Sequence, residues 1–410
     1  MTLLTPSIQS YALYIGMIIY GCFSSPTPDA VGISEALVAL LLFLSFRVHF
    51  RDLQTSSFYL PWAIFCYGLI IPTLLGLING HNLGDMIRDM ISFFYVMMPL
   101  FLGWIAFFKP QKFLKALTGI GLLFSIRTIL SYQKILLIPS LWGQGPPADL
   151  LYLANSPEVL FSALYCIGQA GYFLLNPSSR MDRLKGLSIA LIAILPIMAM
   201  GLMTQRAGIG AVFAYIVIGI CYVTYHNPRS GAILILSALA FGLALSPILD
   251  PLLFLLWEKT NIVGLNARGQ EWSVVTTILS DSWKTMLLGE GWGGRIENPA
   301  VGGLSVNYTH SLISSFLLKT GVIGTIGMLV TIIIPVIRTL KCIFITENRK
   351  TIPPDLTSIN LTHQRLILIG AGIFPLLISV FLYASYKSLG FGLILLLFFI
   401  FPIRKLEKIN

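Results

Sequence analysis

The stretch FYLPWAIFCYGLIIPTLLGLI, residues 58–78, contains no charged side chain. A helix of about 20 apolar residues crosses the roughly 30 Å hydrocarbon layer of a bilayer. Similar runs recur along the 410 residues, of which 56% are apolar and only 11% charged. Soluble domains carry about 25% charged residues. The composition therefore predicts an all-α polytopic membrane protein, with a single integral membrane domain over residues 1–410.

Hydropathy predicts about twelve transmembrane helices. Their predicted bounds are 8–23, 32–47, 58–78, 89–108, 114–132, 157–175, 186–203, 207–226, 231–249, 321–338, 365–384 and 388–403. Apolar runs along the whole length exclude a cleaved signal peptide ahead of a soluble domain. Two connections are long, and we expect residues 250–309 to form a periplasmic loop and residues 339–364 a cytoplasmic loop.

The loop 250–309 is predicted to carry short amphipathic helices. Tryptophans and aliphatic residues at helical spacing predict one helix over residues 268–288. The glycine-rich GEGWGG, residues 289–294, is predicted to be a flexible turn. A second short helix over residues 310–319 is expected to hold His310 in its first turn and to end at Gly321.

The basic residues predict the orientation of the chain. With both termini in the cytoplasm, the cytoplasmic segments hold 17 of the 27 Lys and Arg residues, while the outer segments are close to neutral. The net charge of +10 therefore indicates topology and affinity for anionic membrane lipids. The basic residues are scattered and lack interleaved aromatic residues, which excludes nucleic-acid binding. The cysteines show no disulfide or metal-binding pattern.

Three residues of the predicted outer face suggest chemistry on an anionic substrate. Arg206 and Arg268 could neutralise a diphosphate leaving group without a metal, because each guanidinium donates two parallel hydrogen bonds and stays charged. His310 is a candidate general base for an attacking hydroxyl, since histidine is the residue type most often used for this role near pH 7.

Structural roles are the alternatives for each of these residues. Arg206 is also typical of a topology anchor, and Arg268 of a solvated loop residue. His310 is also typical of a helix cap. Three charged residues in one short stretch, Asp85, Arg88 and Asp89, are expected to form weak local ion pairs.

Three motifs taken in order resemble a known family. TQRAG (204–208), NARGQEW (266–272) and THSLISSFLLKTGVIGT (309–325) are similar to motifs of the O-antigen polymerase and ligase family of bacterial inner-membrane glycosyltransferases. The last motif places a serine, Ser311, after the histidine and, following nine intervening residues, Gly-x-x-Gly-Thr at Gly321, Gly324 and Thr325. The resemblance covers mainly residues 185–340.

The resemblance implies an activity and its partners. Members of this family move a glycan from an undecaprenyl-diphosphate donor onto an acceptor hydroxyl at the periplasmic face, without nucleotide or metal. It implies that Arg206 and Arg268 hold the diphosphate and that His310 acts as the base. Arg88 and Arg295, at the same predicted face, are further candidates for substrate binding. Trp272 is a candidate for stacking on a sugar ring or, as an alternative, for anchoring at the interface.

The resemblance leaves the acceptor open. A polymerase adds to another glycan, with a chain-length regulator as a possible partner protein, whereas a ligase uses the phosphate-rich lipid A core. The nearly neutral outer face favours the polymerase. A transporter is the rival class; Glu35 is the one carboxylate predicted well within a span, and the ionisable residues otherwise cluster at the outer edge.

Overall fold

The computed structural model describes residues 5–26, 32–47, 56–137, 148–263, 268–348 and 356–403, and most of these are helical. The α-helices in chain order are α1 (Pro6–Phe23), α2 (Ile33–Ser45), α3 (Ser56–Ile78), α4 (Leu83–Val96), α5 (Pro99–Phe108), α6 (Pro110–Leu137), α7 (Ala148–Ala154), α8 (Pro157–Leu175), α9 (Arg180–Leu202), α10 (Arg206–His226), α11 (Pro228–Val263), α12 (Arg268–Ser280), α13 (Trp283–Leu288), α14 (Leu312–Asn348), α15 (Leu356–Phe381) and α16 (Leu389–Ile403). The described part of the protein is therefore all-α apart from one small hairpin.

The helices support a membrane protein, with fewer long spans than the sequence predicts. Eleven of the twelve predicted spans each lie mainly on one helix of the described chain, and the span 89–108 is divided between α4 and α5. Within the described residues, seven stretches are long and apolar enough to cross a bilayer: Tyr59–Ile78, Leu83–Ala106, Pro110–Gln133, Leu150–Leu175, Arg180–Leu202, Arg206–His226 and Leu312–Lys341. Four other apolar helices are shorter, such as α2 with 13 residues. A straight helix of that length falls short of the roughly 20 residues that a crossing requires.

The chain folds as two compact units. Unit 1 comprises Met1–Ile120, Asn266–Pro353 and Leu376–Asn410. Unit 2 comprises Gly121–Leu265 and Pro354–Pro375. In unit 1, α14 packs against α3, α12, α13 and α16, whereas unit 2 is built around the packing of α8 on α9 and of α10 on α11. The single membrane domain, the periplasmic loop and the cytoplasmic loop stay predictions.

A hairpin that the sequence analysis did not predict lies within residues 250–309. Strands β1 (Ile296–Asn298) and β2 (Leu304–Val306) pair in antiparallel fashion, and a 3-10 helix, Pro299–Val301, begins the connection between them. Gly302 and Gly303 complete the connection with φ of +74° and +77°. Both are exposed, and no atom of another residue lies close to where their Cβ would be. Glycine adopts this left-handed backbone without steric cost.

Helix α14 is broken at Gly321, as the sequence predicts. Gly321 has φ +63° and ψ −168°, a conformation that is essentially restricted to glycine. The break leaves the carbonyls of Leu318 and Lys319 to accept from backbone N–H groups of the 289–294 turn, at 2.8 and 3.0 Å. The break is therefore a docking point for the turn, and the short helix that precedes it is held in place.

The 289–294 turn is packed into unit 1, so the prediction of a flexible turn is wrong. Trp292 is only 1% exposed, and its indole N–H donates to Gly68 O on α3 at 2.8 Å. Its ring also packs against Phe93 and Phe316. Burial of this side chain anchors the turn between α3 and α14.

Candidate active site

Glu271 and His310 form a hydrogen-bonded pair in unit 1. The Nδ1 atom of His310 lies 2.7 Å from Glu271 Oε2, and the His310 backbone N–H donates to Oε1 at 2.9 Å. An ionised carboxylate only accepts hydrogen bonds, so Nδ1 of a neutral imidazole must carry the hydrogen. The other ring nitrogen, Nε2, is then left with a lone pair. This is the arrangement that a histidine base requires.

Further polar groups hold this pair in position. Asn298, at the end of β1, is fully buried and donates from Nδ2 to Glu271 Oε2 at 2.9 Å. Ser311 caps α14 by accepting from Ser314 N–H at 3.0 Å, so the helix begins at Leu312. His310 therefore precedes the helix, and does not lie in its first turn as predicted. Its backbone N–H is consequently available to Glu271.

The hydrogen bonds keep Glu271 ionised. Burial by itself would raise the pKa of Glu271, but the donors from the His310 side chain, the His310 backbone and Asn298 outweigh it. The net result is a pKa below the ordinary value of 4.5. A charge that is only 3% exposed is thus compensated by its neighbours, as a buried charge must be.

A small apolar cluster positions the helix that carries Glu271. Val275 and Leu279 lie four and eight residues after Glu271, and therefore on the same face of α12. They are buried with Ile296 of the hairpin and Leu318 of α14. Each buried aliphatic side chain contributes about 1.5–3 kcal/mol. The predicted helix 268–288 is in fact two helices, α12 and α13, which separate after Ser280.

The Glu271–His310 pair opens on a pocket of about 320 Å³. Arg268, Trp272 and Phe381 also line this pocket. Arg268 and Trp272 are one helical turn apart on α12, which places both side chains on the pocket side. The Arg268 guanidinium lies 5.5 Å from the ring centroid of Tyr383, a cation–π contact that restricts its position. The structure thus brings together three predicted site residues, Arg268, Trp272 and His310.

The other three predicted site residues are not among those that line this pocket. Arg206 is the first residue of α10 in unit 2. Arg88 is exposed on α4. Arg295 follows the 289–294 turn, and both its Nε and one terminal nitrogen lie 2.7 Å from Asp85 Oδ2. Arg295 is therefore held by a carboxylate within unit 1.

A second polar cluster replaces the expected local ion pairs. Asp89 pairs with Lys319, and both side chains are only 2% exposed. The other carboxylate oxygen of Asp89 accepts the backbone N–H of Gly293 at 2.8 Å. Asp85 pairs with Arg295 and accepts from Asn307 Nδ2 at 3.2 Å. These contacts join α4 to residues more than 200 positions later, so the prediction of local pairs is wrong.

Sequence reasoning missed Glu271 and the segment 383–387, which consists of Tyr383 and the 3-10 helix Ala384–Lys387. Tyr383 contacts Arg268. Burial raises the pKa of the Tyr386 hydroxyl above the usual range, and the nearby Thr309 hydroxyl opposes this shift. Lys387 Nζ lies 4.9 Å from the ring centroid of Tyr308. Glu271 had a signal, because it follows Arg268 by three residues on the same helical face. The segment 383–387 had no such sequence signal beyond its position between two apolar runs.

Comparison with protein-family models, with curated proteins and with solved structures gives no match in any of the three. Within the described ranges, no group of three or more His, Cys, Asp and Glu side chains is arranged to hold a metal ion. The pocket itself brings together a histidine with a carboxylate behind it, an arginine and an aromatic ring.

Proposed function

We propose that this protein is a glycosyltransferase of the bacterial inner membrane. It would move an oligosaccharide from an undecaprenyl diphosphate carrier onto an acceptor hydroxyl at the periplasmic face, with both termini in the cytoplasm. The observation that carries the proposal is the Glu271–His310 pair, which opens on one pocket with Arg268 and Trp272. The resemblance of the surrounding motifs to the O-antigen polymerase and ligase family supplies the substrate class.

The pair provides the base for the transfer. The acceptor hydroxyl gives its proton to His310 Nε2 while its oxygen attacks the anomeric carbon of the donor sugar. The bond from that carbon to the diphosphate oxygen breaks, and its electron pair leaves with the diphosphate. The configuration at the carbon is inverted. Glu271, which is buried and ionised, stabilises the imidazolium as it forms.

The cations would stabilise the leaving group. Arg268 borders the pocket, and its guanidinium is suited to stabilise the negative charge that develops on the diphosphate, without a metal. Arg206 is proposed as the second cation on the basis of the motif resemblance. Trp272 is 44% exposed and borders the same pocket, which suits an aromatic ring that stacks on a sugar.

Reconstitution with a defined lipid-linked repeat unit tests the proposal. We expect His310→Ala and Arg268→Lys to lose polymer formation while expression and membrane insertion are preserved. His226→Ala and Arg229→Lys, both exposed, are the matched controls and should retain it. Normal polymer from the His310 variant would refute the assignment of the base. A ladder without lipid A core supports a polymerase, whereas a capped core alone supports a ligase.

A transporter of lipid-linked or small substrates is the second candidate. The buried Asp89–Lys319 pair favours it, because ionisable residues inside apolar helices often mark transport pathways. Glu35 weakens it, since this residue lies in the first turn of α2 and its carboxylate accepts from Gly32 N–H at 3.1 Å, a capping role. Substrate uptake into proteoliposomes that survives His310→Ala would favour the transporter.

A further inference from the structure

Lys387 occupies an unusual position at the end of a 3-10 helix, Ala384–Lys387. Its side chain is partly buried, and its Nζ lies over the ring of Tyr308. The Tyr308 ring also lies 6.0 Å from the His310 ring, measured between centroids. Helices α4 and α16 pack against the 3-10 helix. Lys387 does not line the pocket that Arg268 borders. Its surroundings are therefore a separate environment, one aromatic ring away from His310.

The charges that face Lys387 leave an excess of cations. Helix α4 contributes Asp85, Arg88 and Asp89, and α14 contributes Lys319, while α16 contributes no charged residue from its described part. Both carboxylates are already engaged, Asp85 with Arg295 and Asp89 with Lys319. Among the described residues no carboxylate lies within ion-pair distance of Lys387 or Arg88. Lys387 and Arg88 are thus the cations of this polar cluster that lie beyond ion-pair distance of its two carboxylates.

The titration of Lys387 agrees with this excess. Burial is the main cause that lowers the pKa of Lys387 to about 7, and the nearby Lys319 and Arg88 lower it further against the opposing effect of Asp89 and Asp85. A lysine in such surroundings is charged for only part of the time near neutral pH. A bound anion would favour the charged form and would therefore be accompanied by uptake of a proton.

We propose that Lys387 and Arg88 form an anion-binding site for a group of the phosphate class, separate from the pocket at Arg268. Lysine binds phosphate as a point charge, and the guanidinium adds parallel hydrogen bonds. The exposed Arg88 provides access from solvent or from a lipid headgroup region. This inference does not depend on the glycan-transfer proposal, because it concerns binding alone.

Calorimetry of the full-length protein in detergent tests the site with pyrophosphate as the probe. Titrations at pH 7.5 in Tris and in HEPES measure proton uptake from the difference in heat. We expect uptake in the wild type, and Lys387→Met should abolish it and weaken affinity roughly tenfold or more. Arg88→Gln should weaken affinity as well. Lys284→Met, which alters an exposed lysine 5.9 Å from the Trp283 ring centroid, is the matched control and should change neither quantity.

Two results would overturn the inference. The first is unchanged pyrophosphate binding in Lys387→Met. The second is that Arg268→Lys abolishes proton uptake and Lys387→Met preserves it, because the anion would then bind in the pocket at Arg268. Nanodiscs identify the source of the group. If lipid headgroups are the natural ligand, phosphatidylglycerol should weaken pyrophosphate binding relative to phosphatidylcholine. If a soluble or sugar-linked phosphate is the ligand, both nanodiscs should give the same affinity, and either outcome supports the site.

Discussion

Replacement of Glu271 by glutamine tests whether this carboxylate positions the His310 ring for catalysis or only stabilises the fold. The carboxylate accepts three hydrogen bonds of 3 Å or less, from the His310 ring, the His310 backbone and Asn298. A glutamine keeps one acceptor oxygen and places an NH₂ group where the second oxygen was. If the NH₂ group replaces Oε2, it faces two donors, His310 Nδ1 and Asn298 Nδ2, and His310 relieves its own contact when Nδ1 becomes the acceptor. The ring hydrogen then moves to Nε2, where the base is needed.

The structure sets the expected magnitudes. A buried donor without an acceptor costs about 1–3 kcal/mol, so Glu271→Gln should lower the free energy of unfolding by about 1–2 kcal/mol. Glu271→Ala removes both acceptor oxygens and the three hydrogen bonds they accept, and should cost roughly 3–5 kcal/mol, since the partly exposed His310 recovers some hydrogen bonding from water. Loss of the base by a change of tautomer should lower kcat about 10²–10⁴-fold.

The assay combines glycan transfer with thermal unfolding of the same detergent preparation. Glu297→Gln is the matched control, because Glu297 is an exposed glutamate on the neighbouring strand β1. It should leave both turnover and the unfolding midpoint unchanged. Turnover within threefold of the wild type in a folded Glu271→Gln variant would refute the positioning role of Glu271.

Four further predictions follow from the geometry. Because the pKa of Glu271 is lowered on folding, the stabilisation by its carboxylate is present above the ordinary pKa of 4.5 and is lost as the pH falls through the lowered value. The difference in unfolding midpoint between wild type and Glu271→Gln should therefore shrink in acid, and a constant difference would contradict this. Gly321→Ala should cost about 2–3 kcal/mol or more, since the new Cβ lies 2.3 Å from Leu287 O at φ +63°, whereas Gly219→Ala, with no neighbouring atom within 4 Å, should not destabilise. Asp89→Asn should cost about 3–5 kcal/mol by leaving Lys319 buried without its partner, and adding Lys319→Met should recover part of this in thermal unfolding. Trp292→Ala should lower stability by about 3–5 kcal/mol, whereas Trp272→Ala should leave stability nearly unchanged and raise KM for the glycan donor.

The helices could be predicted from the sequence because their signal is local. Long apolar runs with few charges indicate helices wherever they occur, and the predicted runs lie on helices, although residues 89–108 are divided between α4 and α5. Their number as spans was harder to judge, since a run such as residues 32–47 gives a helix of only 13 residues. Whether a short helix crosses a membrane depends on its neighbours, which periodicity does not describe.

The candidate site could be predicted only in part. Arg268 and Trp272 share a helical turn, and the glycine that breaks α14 could be recognised from its position after an apolar helix. The Asp89–Lys319 pair has no such signal, because its members are 230 residues apart in the chain. The same is true of Lys387, whose charged neighbours come from α4 and α14, both distant in the chain.

The exposed Gly302–Gly303 tip offers a handle for determining which side of the bilayer this part of the chain faces. Exposed loop tips are the positions where insertions are best tolerated. The Cβ positions of both glycines are open, and the three paired positions of the strands lie outside them, although the Gly303 N–H donates to Asn298 O at 2.9 Å. A short epitope inserted between the two glycines should leave the packed 289–294 turn undisturbed. Its accessibility to an antibody in right-side-out and inside-out vesicles would report the sidedness of the pocket directly, before any substrate is identified.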